Sequence, residues 1–401
     1  MKAEFFTENR KKLAQSLKGG LIVATAYSKM QRTNNEAFKF EQESNFLYLT
    51  GISEPDWWLI YDGNRNKSWL VRPDVDPYMV IFNGSLSDSA AQKISGVNEI
   101  ISKDDALSLL RQLKRSHNLV HTVKQPEGLE RYDFVLNPAL SKMYDLLDRN
   151  FEDVQNCRKE MAIIRAIKQP EEIAQIKKAI NITRSALEVV RSNISKYEYE
   201  YEIEADITRD FTLAAAEHCF EPIVASGKNA CILHYTKNNT KLRKGNLILV
   251  DIGAKIGQYS ADITRSYAFG KPTNRSKEIY EAVLSAQNKI INKLRPTLLL
   301  QDLQHIVETE MSLVIRELKL VKDDPLTELP HYFPHAIGHG LGVDLHEPLA
   351  HEMLQEGMVI TIEPGIYIPE EGIGVRIEDD ILITKSGALN LSAKIPKDLI
   401  Y

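Results

Sequence analysis

Cysteine is scarce: Cys157, Cys219 and Cys231 are the three present in 401 residues, and they lie far apart with no CxxC pair. That excludes a disulfide-stapled scaffold and fits a reducing compartment. Charge of one sign is also lacking. A net charge of -5 provides no global field to hold a polyanion, so neither nucleic acid nor an anionic membrane is expected as a partner, and the substrate is expected to be small. No apolar run reaches membrane-spanning length, and charges are scattered through MKAEFFTENRKKLAQSL, where a secretory leader needs continuous apolar residues. A cytoplasmic protein is expected. The GxGxxG and GxxxxGK[ST] spacings are absent, which excludes a phosphate-cradling loop. There is no repeat of solenoid period and no low-complexity segment.

What is present is the composition of a globular protein, 43% hydrophobic and 26% charged. Single cores stop growing at about 250 to 300 residues, so a chain of this length predicts two domains, here residues 1–157 and 158–401. In the first, the apolar runs GLIVATA (20–26), FLYL (46–49), WWLIY (57–61) and SWLV (68–71) alternate with the helical patterns DDALSLLRQLKR and LNPALSKMYDLLDRN. This predicts an α/β domain, with Trp57 and Trp58 as packing aromatics. In the second, Pro170 followed by Glu171 and Glu172 marks a helix start, and Ile173, Ile176, Ile180 and Leu187 recur at helical spacing as its buried stripe. Further helices are expected near 276–294 and 301–319, with strands between and after them.

Two stretches in this second part read as antiparallel hairpins that carry acids. In GNLILVDIGAKIGQYSADITRSYAFG, a turn centred between Ile256 and Gly257 places Asp251 directly opposite Asp262. In GMVITIEPGIYIPEEGIGVRIEDDILIT, a turn centred between Glu370 and Glu371 places Glu363 opposite Glu378. Opposed residues have Cβ atoms about 4.5 to 5.5 Å apart, where two carboxylates repel unless a cation lies between them. Asp251 follows LILV and Glu363 follows VITI, so both fall where burial is expected and an uncompensated carboxylate is costly. Two acidic hairpins imply a duplicated half-domain folded around one site. A lone acid in a strand is more often a solvated or edge-protecting charge; the pairing is what points to metal. Half of the ten histidines (His331, His335, His339, His346 and His351) cluster just before the second hairpin, three of them in the glycine-bearing PHAIGHGLGVDLHEP.

With four carboxylates, one histidine and this order along the chain, residues 160–401 resemble the metallopeptidases of the pita-bread fold. The likeness lies in VDIGA at 250, ADITR at 261, HAIGHGLG at 335, TIEPGIY at 361 and VRIEDD at 375. The amino-terminal segment FKFEQESNFLYLTGISEP resembles that of the Xaa-Pro aminopeptidase and prolidase family. The resemblance implies a ribonuclease H-like α/β domain before the pita-bread domain, and two divalent cations, most readily Mn2+, held by Asp251, Asp262, His339, Glu363 and Glu378. It implies that Asp262 and Glu378 bridge the cations around a hydroxide nucleophile, and that Glu363 carries the proton. His234 and His346 are implied to hydrogen-bond the substrate, while His335, Tyr367 and Arg376 line the proline pocket. The expected reaction is release of the N-terminal residue from peptides with proline second, by a homodimer or homotetramer. Prolidase, which takes Xaa-Pro dipeptides, shares the ligand set, and a metal-free interaction module on the same fold is a further alternative. One departure is VIFNGSLS at 80–87, where aminopeptidase P enzymes often carry a W-x-G-x-R-like segment.

Overall fold

A computed structural model describes residues 1–126 and 134–399 and divides the chain into two compact units, Met1–Ile164 and Arg165–Tyr401. The first unit is built on a six-stranded mixed sheet of β1 (Leu21–Thr25), β2 (Trp58–Asp62), β3 (Lys67–Val71), β4 (Glu99–Ile101), β5 (Leu119–Thr122) and β6 (Asp153–Asn156), in the order β4-β3-β2-β1-β5-β6. Strands β1, β2 and β3 run antiparallel, whereas β3–β4, β1–β5 and β5–β6 are parallel. The helices Lys103–Leu113 and Ala139–Asp148 bury Ala106, Leu110, Met143 and Leu147 in one core with Val23, Ile60 and Val120. Each fully buried aliphatic side chain of this kind is worth about 1.5–3 kcal/mol. Trp57 is buried and Trp58 packs half-buried on the same core.

FLYL is not a strand. It lies in a helix, Ser44–Thr50, whose first turn is capped by the Glu43 carboxylate accepting from Phe46 N at 2.6 Å and which ends at Gly51 with φ 70°. Both faces of this helix are buried, so its apolar run has no helical period, and the two caps decide its conformation. The departing segment VIFNGSLS begins in the helix Pro77–Asn83, which buries none of its residues and exposes Tyr78, Ile81 and Phe82.

In the second unit, the helix Pro170–Asn193 starts as the sequence predicts, with Pro170 in its first turn and Gln169 and Glu172 closing a reciprocal capping box. Ile176, Ile180 and Leu187 are buried, but Ile173 is half-exposed; Ala179, Thr183, Ala186 and Val190 complete the stripe. The helices expected further on are Asn274–Lys293 and Leu300–Glu317. No helix among the described residues is long and apolar enough to cross a membrane.

The strands are β7 (Glu217–His218), β8 (Ile223–Ser226), β9 (Leu247–Ile252), β10 (Ala254–Ile256), β11 (Tyr259–Ser260), β12 (Ile263–Ala268), β13 (Val359–Ile362), β14 (Gly365–Ile368), β15 (Ile373–Arg376), β16 (Asp379–Thr384) and β17 (Gly387–Asn390). They form small sheets in the orders β11-β10-β7, β12-β9-β8, β13-β16-β17 and β14-β15. Two long hairpins dominate, β9–β12 and β13–β16, and each is interrupted midway, at 253 with 261–262 and at 363–364 with 377–378. The helix Pro170–Asn193 packs on β10 and β11, and the helix Asn274–Lys293 packs on β14 and β15, so each hairpin has its own backing helix.

Candidate active site

The acids stand at the two interruptions. In the second hairpin, Gly365 pairs with Arg376 and Ile362 with Asp379, which puts Glu363 and Glu378 at directly opposed positions in the gap. The first hairpin differs from expectation by one step: Asp251 pairs with Thr264, and Ile256 with Tyr259. Its turn centres between Gly257 and Gln258, both with positive φ (55° and 72°), the two-residue turn that matches strand twist. Asp262 therefore lies diagonal to Asp251 rather than opposite it. Because the side-chain period is two, a shift of two residues leaves both acids on one face.

Interrupting a hairpin frees backbone carbonyls, and side chains satisfy them. At the second break, the buried Gln287 donates from Nε2 to Ile362 O (3.0 Å) and Ile377 O (2.9 Å), the residues preceding Glu363 and Glu378. At the first, Cys219 Sγ lies 3.1 Å from Gly253 O and 3.2 Å from Ala261 O, beside Asp262. A Cβ at Gly253 would collide with the Ala261 carbonyl, and one at Gly338 with that of Thr361, so both glycines are demanded by close backbone approach.

The structure brings Asp251, Asp262, His339, Glu363 and Glu378 into one cluster. Ligand-capable atoms within 4.8 Å of one another form three overlapping groups: Asp262, His339 and His346; His339, Glu363 and Glu378; and Asp251, Asp262 and Glu378. Asp262, His339 and Glu378 each belong to two of these, and of the three only the carboxylates offer two oxygens. His339 Nδ1 lies 2.9 Å from Gly340 O, which assigns it the proton and leaves the Nε2 lone pair aimed at the acids, 3.3 Å from Asp262 Oδ2 and 3.8 Å from Glu363 Oε1. That is the tautomer a metal-binding imidazole requires.

Burial drives the acids toward the neutral form. It lifts Glu363 to about 7; burial with the charge of Asp251 pushes Asp262, and burial with the charge of Asp262 pushes Glu378, well above the usual carboxylate range. A divalent cation reverses that preference by stabilising the carboxylates. Asp251 Oδ1 is buried with no hydrogen-bond partner among the described residues, an unmet acceptor that a cation would satisfy. Oxygen-rich donors with one imidazole fit divalent metal.

Around the acids runs a polar wall. The buried Arg376 donates from Nη2 to Asp251 Oδ2 (2.6 Å), from Nε to Thr264 Oγ1 (3.1 Å) and from Nη1 to Tyr367 OH (2.9 Å). Tyr367 OH passes a hydrogen bond to His335 Nε2 (2.9 Å), whose Nδ1 faces Ala336 O (2.8 Å). Burial, reinforced by Arg376, holds His335 down to about 4, so it is neutral. His346 is likewise lowered to about 4 by burial and by His339, whose ring centroid is 4.2 Å away. His234 occupies an exposed turn.

Several residues of this shell are silent in the sequence. Thr264 donates to Glu378 Oε2 at 2.8 Å; the correct register of the first hairpin would have revealed it as the partner of Asp251. Asp380 accepts from Asp262 N at 3.3 Å. Glu200 accepts from Ser226 N, Ser226 Oγ, Asn229, Tyr235 OH and Thr240 N, pinning the loop that carries His234; no local pattern could show it.

Comparison with known proteins shows the family of the chain. Residues 174–385 match the model of metallopeptidase family M24, and residues 6–121 match the aminopeptidase P N-terminal domain. The chain is 32% identical to an Xaa-Pro aminopeptidase of Haemophilus influenzae, over 99% of this chain and 96% of that protein. It is 30% identical to an Xaa-Pro dipeptidase of Pyrococcus furiosus, over 89% and 92%. Aminopeptidase P from Escherichia coli superposes with a TM-score of 0.88 at 28% identity, covering 99% of this chain and 96% of that one. The chain belongs to metallopeptidase family M24, with the pita-bread fold in its second unit. It is a metal-dependent aminopeptidase acting on peptides.

Proposed function

We propose that this enzyme releases the N-terminal residue from peptides whose second residue is proline, with two divalent cations, Mn2+ first among them, held by Asp251, Asp262, His339, Glu363 and Glu378. The observation that carries the reading is the convergence of these four carboxylates and one imidazole in overlapping ligand groups, in which Asp262 and Glu378 each recur and each offer two oxygens. Asp251, His339 and Glu363 would hold the cations together with Asp262 and Glu378. The preference for Mn2+ follows from hard oxygen donors and the lack of thiolates among these ligands. Bound there, the cations supply the Lewis acidity that activates water and polarises the scissile carbonyl.

The chain's own groups do the rest. Glu363, half-buried at the edge of the cluster, takes the proton of the attacking water and delivers it to the leaving nitrogen. His346, which groups with Asp262 and His339, and His234, on the turn that Glu200 pins, donate hydrogen bonds to the substrate carbonyl and the oxygen on which charge develops. His335, Tyr367 and Arg376 form the rigid wall that receives the proline ring. Proline lacks an amide proton, so a pocket for it gains nothing from a backbone acceptor and selects by shape. Residues 1–157 act as the amino-terminal domain of an enzyme that works in the cytoplasm as a homodimer or homotetramer.

The likeness to an Xaa-Pro dipeptidase supports a second reading, in which only dipeptides are cleaved. Hydrolysis of an Xaa-Pro-Yaa tripeptide and an Xaa-Pro dipeptide, measured side by side with Mn2+, separates the two. The tripeptide is expected to be the better substrate; cleavage confined to the dipeptide sinks the aminopeptidase assignment. Chelation provides an independent check. Cations that bind the folded cluster at 100 times their Kd stabilise it by about 2.7 kcal/mol, so removing them should lower the melting temperature by several degrees and readdition of Mn2+ should restore it. An unchanged melting curve would count against a metal centre.

A further inference from the structure

His339 and His346 sit on an irregular segment, and the residue after His346, Glu347, is fully enclosed. Both carboxylate oxygens of Glu347 are engaged. Oε1 accepts from Arg165 Nη2 at 2.7 Å and from Val343 N at 3.1 Å, while Oε2 accepts from Lys168 Nζ at 2.9 Å. Arg165 also donates to Asp344 Oδ2 at 2.6 Å. Arg165 and Lys168 are themselves buried, just ahead of the helix Pro170–Asn193, and Lys168 N is fixed to Gly357 O at 2.9 Å. Burial alone would raise the Glu347 carboxyl, but Lys168 and Arg165 overcome it and hold it down to about 2.

The backbone of Glu347 exchanges both hydrogen bonds with Gly340, at 2.9 and 2.8 Å, which closes the segment into a loop with one histidine beside each end. The glycines of HGLG follow from this contact. A Cβ on Gly342 would stand 2.5 Å from Glu347 Oε1, and one on Gly340 would stand 2.9 Å from Glu347 O. Neither glycine has the left-handed backbone that would by itself demand glycine. Their requirement is room for the carboxylate.

We propose that Glu347, clamped by Arg165 and Lys168, is a positioning residue that orients His339 and His346 toward the carboxylate cluster. The inference rests on the roles given to those histidines under the proposed function. A carboxylate between two buried cations is held in one position, because displacement breaks its contacts with Arg165 and Lys168 together and leaves the buried Lys168 ammonium without a carboxylate. Through the Gly340 bridge and the adjoining peptide, that position fixes both imidazoles. Groups that hold metal ligands in this way are worth about 10- to 100-fold in metal affinity or rate when lost.

The test compares Glu347→Gln, Glu347→Asp and Gly342→Ala in the full chain, reading Mn2+ affinity by calorimetry on metal-depleted protein and kcat and KM on an Xaa-Pro-Yaa tripeptide. Glu347→Gln is expected to weaken Mn2+ binding and to lower kcat, each by about 10- to 100-fold, with KM changed less than about threefold. Glu347→Asp, which keeps the charge, should recover part of both losses. Gly342→Ala keeps every charge and displaces the carboxylate, so it should move both quantities in the same direction even where Glu347→Gln does not fold. Mn2+ affinity and kcat within twofold of the parent in Gly342→Ala, or in a folded Glu347→Gln, would overturn the proposal. Asp262→Asn run alongside distinguishes the two levels: full Mn2+ binding in that variant removes the site assignment itself, whereas its loss beside an unaffected Glu347→Gln removes only the clamp.

Discussion

Asp262→Asn is expected to lower kcat by about three orders of magnitude or more, equivalent to roughly 4 kcal/mol of lost transition-state stabilisation, while the fold persists. The amide is isosteric but carries an NH2 in place of one oxygen, so under the proposed function one of its two ends would turn a repulsive group toward a cation. Nothing else that holds position 262 is removed, because its backbone N–H stays with Asp380. The metal-free variant has a further signature. Burial and the neighbouring Asp251 already disfavour the charged Asp262, so without cations the variant should unfold at the same or higher denaturant concentration than the parent. Glu378→Gln should behave alike, since its carboxyl is lifted by burial and then by Asp262. Measured kcat within tenfold of the parent in either variant would remove the two-metal assignment.

Arg376→Met carries the largest expected effect on stability. The guanidinium is buried and serves Asp251, Thr264 and Tyr367 at once, so the substitution leaves a buried carboxylate without its partner and a tyrosine hydroxyl without its donor. Breaking a buried pair from one side costs about 3–5 kcal/mol, which denaturant unfolding of the metal-free protein would read directly. Catalysis should fall as well, because the chain from Arg376 through Tyr367 to His335 loses its first link. Part of the stability loss should return with Mn2+, whose charge replaces that of the guanidinium beside Asp251. A loss below 1 kcal/mol in the metal-free protein would show that the acids do not need this cation.

The acid positions were legible because strands read in steps of two. Glu363 and Glu378 came out directly opposed, since the Pro-Glu-Glu-Gly turn is bounded by residues whose alternation fixes its centre. The first hairpin came out one step early because Gln258, a residue with no evident turn preference, takes a left-handed φ beside Gly257. The error did not disturb the assignment of Asp251 and Asp262 to one face, but it hid Thr264. FLYL misled for a different reason. Its apolar residues are buried on all sides, which erases periodicity, and only the Glu43 and Gly51 caps specify a helix.

By itself the sequence determined the α/β character of the chain, the two acidic hairpins, the histidine-rich segment between them and the likeness to a metallopeptidase family. These depend on local periodicity, residue type and order along the chain. The tertiary structure alone decided what surrounds the acids: Gln287 and Cys219 at the hairpin breaks, Arg376 reaching Asp251 across 125 positions, and Arg165 and Lys168 meeting Glu347 some 180 positions away. The reason is physical. A buried charge or freed carbonyl can be satisfied by any donor that packing brings within hydrogen-bond reach, and sequence separation sets no limit on which one arrives.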